Sequence, residues 1–149
     1  MNSRIEAPID ILLVEDNPGD ARLTEEAFEA HSNEVTLSVT TSGDEALEVL
    51  RKRRDEDPAT VPDLVLLDLN MPGMDGFEFL RTIKADSAFT RLPVLVLTSS
   101  TASEDVLESY ELAANAYLTK PTDPDEYAAI ADAVVAFWFE RASLPSSVP

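Results

Sequence analysis

The chain has 149 residues, 44% of them apolar, which suits one domain with a real hydrophobic core. It contains no cysteine, so disulfides and thiolate metal sites are excluded. A formal net charge of −18 repels nucleic-acid phosphate, no apolar run approaches membrane-spanning length, and Met1–Asp10 lacks the apolar core of a signal peptide. A cytoplasmic protein with no nucleic-acid or membrane partner is therefore expected.

Five apolar segments alternate with helix-like ones. Ile9–Val14 reads as the first strand. Asn17 caps a helix with Pro18 at its first position, running to about His31. Val35, Leu37 and Val39 alternate with polar residues, so the second strand is half exposed. Ser42-Gly43-Asp44-Glu45 has the capping-box spacing and opens a second helix. Arg51, Lys52, Arg53 and Arg54 near its end read as a solvated helix terminus complementing the dipole rather than a docking patch. After a loop from Arg54 to Pro62 comes a third strand, Asp63–Asp68, then a helix from about Gly76 to Asp86. Pro93–Thr98 is the fourth strand, a helix covers about Ser103 to Ala113, and Ala116–Thr119 is a short fifth strand. Asp123-Pro124-Asp125-Glu126 caps a last helix that reaches about Arg141.

Strict βα alternation implies a doubly wound parallel sheet, an α/β fold covered by helices on both faces. The first, third and fourth strands are nearly continuous aliphatic runs, as central strands should be. The second alternates and the fifth is short, so both belong at edges. The expected arrangement is flavodoxin-like (βα)5 with strand order 2-1-3-4-5.

The first strand stops at Glu15-Asp16, the third at Asp68 and the fourth at Thr98, while Lys120 follows the fifth. Sites in such sheets form outside the carboxyl ends of the strands. Three carboxylates within ~4 Å of one another repel by up to ~4 kcal/mol per pair at an effective dielectric of ~20, more than one lysine offsets. The remaining charge needs either a raised pKa or a bound cation, and all-oxygen ligands suit a hard ion that keeps several waters, Mg2+.

Val14-Glu15-Asp16-Asn17, Leu66 through Gly76 (LLDLNMPGMDG), Leu97-Thr98-Ser99-Ser100 and Lys120-Pro121, with 30 and 22 residues separating Asp68, Thr98 and Lys120, together resemble response-regulator receiver domains. The resemblance implies residues 1–8 as an extension, 9–141 as the receiver domain and 142–149 as a flexible tail with no room for an output domain. The loop before Pro62-Asp63, the Lys120-Pro121-Thr122-Asp123 segment and Phe137-Trp138 are similar to free-standing regulators that partner phytochrome-type or other sensor histidine kinases. By this resemblance Asp68 is the phosphoacceptor. Asp16 ligates Mg2+ directly, Glu15 acts on it through water, and Asn70 offers its backbone carbonyl. Lys120 and Thr98 engage the phosphoryl group, and Tyr117 is the switch aromatic. The resemblance further implies a signalling switch that catalyses only its own phosphorylation and autodephosphorylation. It would relay to an unidentified downstream protein through the surface of the Ser103–Ala113 helix, the fifth strand and the last helix. Two positions depart from the family pattern: the acidic pair is Glu-Asp rather than two aspartates, and Ala114 replaces a common glycine.

Rival readings fit less well. A flavodoxin-type cofactor module needs a glycine- and hydroxyl-rich loop after the first strand, where Glu15-Asp16-Asn17-Pro18 stands. A magnesium phosphohydrolase lacks its general acid, because position 70 is Asn. A degenerate receiver would have lost chemical positions that are all intact here. His31 reads as a surface residue, and Met71 and Met74 as packing residues.

Phe137-Trp138-Phe139 sweep about 200° of the last helix and cannot all face one core. Tyr127, Ile130, Ala131, Val134 and Trp138 form its inward stripe. Val135, Phe137 and Phe139 are then left as an apolar patch, and a homodimer through that face is expected.

Overall fold

Each aliphatic run forms a strand, and a polar side chain starts each long helix. In the computed structural model, which describes residues 8–69, 71, 74–99, 106, 114 and 116–137, the order is β1 (Ile9–Val14), α1 (Pro18–Glu29), β2 (Val35–Thr40), α2 (Gly43–Glu56), β3 (Leu64–Leu67), α3 (Gly76–Ala85), β4 (Val94–Thr98), β5 (Ala116–Thr119) and α4 (Pro124–Ala136). All strand pairs are parallel, in the order β2-β1-β3-β4-β5, as expected. Of the expected helix over Ser103 to Ala113, only Val106 is clearly helical; the rest lies outside the described residues.

The caps show why the helices begin where they do. Asn17 Oδ1 accepts the Asp20 N–H at 3.0 Å, Ser42 Oγ the Glu45 N–H at 3.1 Å, Asp75 Oδ1 the Glu78 N–H at 2.9 Å, and Asp123 Oδ1 the Glu126 N–H at 2.9 Å. The reciprocal half of the capping box at Ser42 is displaced by one residue. Glu45 reaches back to the N–H of Thr41, at 2.6 Å, rather than to that of Ser42. Two helix ends differ from the sequence expectation. α1 stops at Glu29, where the N–H groups of His31 and Ser32 close tight turns onto Phe28 and Glu29. α2 continues to Glu56, and Pro58–Thr60 adds a 3-10 turn, so the connection to β3 is shorter than expected.

Period-two alternation sends the side chains of β1, β3 and β4 into two cores. Leu12, Val14, Val65, Leu67, Val94 and Val96 pack with α2 and α3, joined by Met71 and, at the margin, Met74 and Tyr117. Ile9, Ile11, Leu13, Leu64, Leu66 and Leu97 pack with α1 and α4. Gly76 lets α3 start hard against the end of β3: a Cβ there would lie 2.5 Å from Leu69 Cα and 2.7 Å from the Asp68 carbonyl oxygen. No side chain fits that gap, and the backbone of α3 thereby braces the loop that carries Asp68.

Candidate functional site

The parallel ladder runs one residue beyond β1, β3 and β5. Glu15 donates its N–H to Thr40 O at 2.9 Å, Asp68 to Val14 O at 3.0 Å, and Lys120 to Thr98 O at 2.8 Å. These three backbones are therefore held as firmly as strand residues. Continuing the alternation places Glu15, Asp68 and Lys120 on the face covered by α1 and α4. Thr98 continues the row of Val94 and Val96 on the opposite face, and Tyr117 stands directly across from Val96. The sheet thus divides the polar residues between its two faces before any side chain is placed.

Glu15 and Asp68 are almost wholly buried, at 3% and 4% exposure, and Thr98 is fully buried. Asp16 is half-buried beside them, and carboxylate oxygens of Glu15, Asp16 and Asp68 lie within 4.8 Å of one another. The Lys120 ammonium is 2.7 Å from Glu15 Oε1 and 3.4 Å from Asp68 Oδ2. The other Glu15 oxygen accepts the Asn17 N–H at 3.2 Å. Sequence reasoning named all of these residues. It missed Asp20, whose Oδ2 lies 2.8 Å from Lys120 Nζ. The available signal was an acid in the first turn of the helix that begins just after Glu15-Asp16. Asn70, expected to supply a carbonyl, lies outside the described residues, as does Ser100.

The electrostatics follow from burial. Glu15 is pushed up to about 7 by loss of water and by the facing Asp68 carboxylate, with Lys120 pulling the other way. Burial also works against the charge on Lys120. Its hydrogen bonds to Asp20 and Glu15 more than offset that, and its pKa rises. The ammonium therefore stays charged, and the strain in the site lies on the acid side. An all-oxygen cluster with unbalanced negative charge, open at Asp16, fits a hard divalent cation that keeps some of its water.

Two expectations outside the cluster need correction. Val135 is 4% exposed and packs into the α1–α4 core, because α4 sits deep enough for adjacent positions Val134 and Val135 both to face inward. Phe137, at 51% exposure, is the remaining described member of the expected patch; Trp138 and Phe139 lie outside the described residues. His31 is not a free surface residue. Its side chain is 19% exposed and bridges Asp132 of α4 at 2.7 Å and Glu34 at 3.4 Å.

A family model described as the response regulator receiver domain matches residues 11–132. Response regulator Rcp1 of Synechocystis sp. is 36% identical over 147 residues, covering 99% of this chain and 100% of that protein. Among solved structures, the phosphorylated cyanobacterial phytochrome response regulator RcpA aligns with a TM-score of 0.84 and 39% identity over 93% of this chain and 99% of that one. The Mn(2+)-bound form of Rcp1 aligns with a TM-score of 0.80 and 38% identity over the same shares of the two chains. This chain belongs to the response-regulator receiver family and is a phospho-accepting signalling switch.

Proposed function

We propose that Asp68 accepts a phosphoryl group from a sensor histidine kinase in a Mg2+-dependent reaction. The supporting observation is the buried Asp68 carboxylate beside both Glu15 and the Lys120 ammonium, at the end of the central strand. An Asp68 oxygen attacks the phosphorus of the kinase phosphohistidine, the P–N bond breaks as the P–O bond forms, and the imidazole leaves with its nitrogen lone pair. Glu15, Asp16 and Asp68 are the residues that would hold Mg2+, with the Asn70 carbonyl as a further ligand. The bound ion would neutralise charge on the transferring group. Lys120 neutralises a second phosphoryl oxygen, and the Thr98 hydroxyl bonds a third.

The first step of the relay runs on the sheet face opposite Lys120. Thr98 drawn toward the phosphoryl group vacates space beside Val96, and Tyr117, across from Val96, turns into it. The output surface comprises the Ser103–Ala113 helix, β5 and α4, and hydrolysis of the acyl phosphate by the protein itself resets it. The likeness to Rcp1 and RcpA supports a phytochrome-type kinase as donor. Among the described residues no helix is long and apolar enough to cross a membrane, in keeping with a cytoplasmic role.

Intact-mass measurement with a small phosphodonor tests this reading. One phosphoryl should be gained only with Mg2+ and should be absent in Asp68→Asn; full labelling of that variant would overturn the assignment. Phe137, exposed near the end of α4, supports a homodimer through that face. Sedimentation at tens of micromolar should show a dimer that Phe137→Glu dissociates, and a monomeric wild type would remove this part of the proposal.

A further inference from the structure

Lysine offers three N–H donors, and Lys120 has three carboxylate neighbours: Glu15 at 2.7 Å, Asp20 at 2.8 Å and Asp68 at 3.4 Å. The ammonium thus sits closer to two other acids than to the residue that we read as the acceptor. A phosphoryl oxygen arriving on Asp68 inherits only this long 3.4 Å contact, and closing it draws the ammonium away from one of its two nearer partners. Glu15 is the poorer candidate, because its side chain is 3% exposed and solvent cannot readily take the place of the ammonium there. Asp20 is the candidate that burial favours. Its side chain is 30% exposed, so water replaces the ammonium when the pair opens. Its backbone is fixed at both ends, by the cap from Asn17 to its N–H and by the Thr24 hydroxyl bonded to its carbonyl at 3.0 Å. The carboxylate therefore stays poised above the site while the flexible lysine stem moves.

Resting on the assignment of Asp68 as acceptor, we propose that Asp20 is a positioning residue: it holds the Lys120 ammonium in the unphosphorylated protein and yields it to the phosphoryl group. Asp20 is then a competitor that slows loading and shortens the phosphorylated state. Because it sits in the first turn of α1 and Lys120 follows β5, the exchange also unties α1 from the loop after β5 whenever the switch is on.

Two readouts test this on the whole chain. In metal-free protein, the nitrogen-15 spectrum of the lysine ammonium groups contains only Lys52, Lys84 and Lys120. Asp20→Asn should shift Lys120 and speed its proton exchange while leaving Lys84, held by the carbonyls of Leu92 and Thr90, unmoved. With Mg2+ and a small phosphodonor, Asp20→Asn should load about two- to fivefold faster than wild type, the scale of a partly exposed ion pair. The gain should vanish when the change is made in a Lys120→Ala background. Asp20→Ser, with a side chain suited to a helix start, should behave alike if Asp20→Asn melts early. Loading no faster than wild type, or a gain that survives Lys120→Ala, would overturn the inference. If Asp68→Asn still labels, the acceptor assignment itself has failed; if it does not label while Asp20→Asn matches wild type, only the role of Asp20 has.

Discussion

The two ends of the sheet each set acids against a single cation, and they do so differently. At the end where the strands begin, Arg53 of α2 bonds Asp10 Oδ2 at 3.0 Å and Ser38 Oγ at 3.3 Å, while Asp63 Oδ2 accepts the Asp10 N–H at 2.9 Å. Burial pushes Asp10 up, Arg53 draws it part of the way back, and the neighbouring Asp63 carboxylate adds to the rise. A guanidinium suits this work: it is planar, permanently charged, and its donors point at fixed acceptors. At the other end, Glu15, Asp20 and Asp68 contact Lys120, with Asp16 beside Glu15 and Asp68, and the cation is a compact group on a flexible stem. A rigid cation fixed between an acid and a hydroxyl makes a clasp. Excess negative charge with a movable cation makes a site that is incomplete until something positive binds and something anionic arrives on Asp68.

That contrast predicts opposite signs for removing charge at the two ends, and the largest effect is expected at Glu15. Its pKa in the folded protein is about 7, against an ordinary value of 4.5. The folded state therefore holds more protons than the unfolded chain between those values, and stability falls as pH rises through that window. Glu15→Gln removes the penalty. In metal-free protein it should gain up to about 3 kcal/mol at pH 8 and much less at pH 5. Urea unfolding at the two pH values checks this, and an equal gain at both would mean that Glu15 is not the strained group. The same variant should bind divalent cations more weakly, which ties the instability to the site's use.

At the Arg53 end the expected sign reverses. Arg53→Ala leaves Asp10 and Asp63 close together without their cation and should cost about 1–3 kcal/mol. Divalent cation binding and phosphoryl loading should be unaffected, because the cluster lies at the opposite end of the sheet. Chemical unfolding combined with the mass assay separates the two effects, and a loading defect at normal stability would break the comparison.

What the residues alone reveal follows the reach of each physical signal. Aliphatic runs and alternation are local and strong, so β1, β3 and β4 are readable as central and β2 and β5 as edges. The site residues at strand ends are readable for the same reason: a parallel sheet collects its strand ends in one place. Asp20 escapes because it lies on a helix, and its partner is 100 residues away. Arg53 escapes likewise, since a cluster of four basic residues at a helix end looks solvated, whereas the longer α2 carries one of them back to Asp10, 43 residues earlier. Val135 was misplaced because a single helical stripe is narrower than the face that α4 buries. Gly76 is readable only as a turn residue; that it must lack a Cβ emerges from the approach of α3 to Leu69.

The smallest expected effect concerns His31, which adds a second, titratable cation away from the acidic cluster. Its hydrogen bond to Asp132, supported by Glu34, raises its pKa above 6.5 against the opposing effect of burial. A base whose pKa is raised on folding contributes its full stabilisation below the unfolded value and loses it as pH rises through the folded one. Asp132 is 68% exposed, so solvent screens the pair and about 0.5–1 kcal/mol is the most to expect. Glu15 also makes the wild type less stable as pH rises through the same range, so the two contributions must be separated by difference. The stability gap between wild type and His31→Asn should be widest near pH 5.5, close to zero by pH 8.5, and smaller at 0.5 M salt. A gap independent of pH would show that His31 acts by packing rather than by charge. Because the pair ties the turn after α1 to α4, loading of Asp68 should not change in His31→Asn. A changed rate would mean that the α1–α4 face transmits between the two ends, and their division of labour would no longer hold.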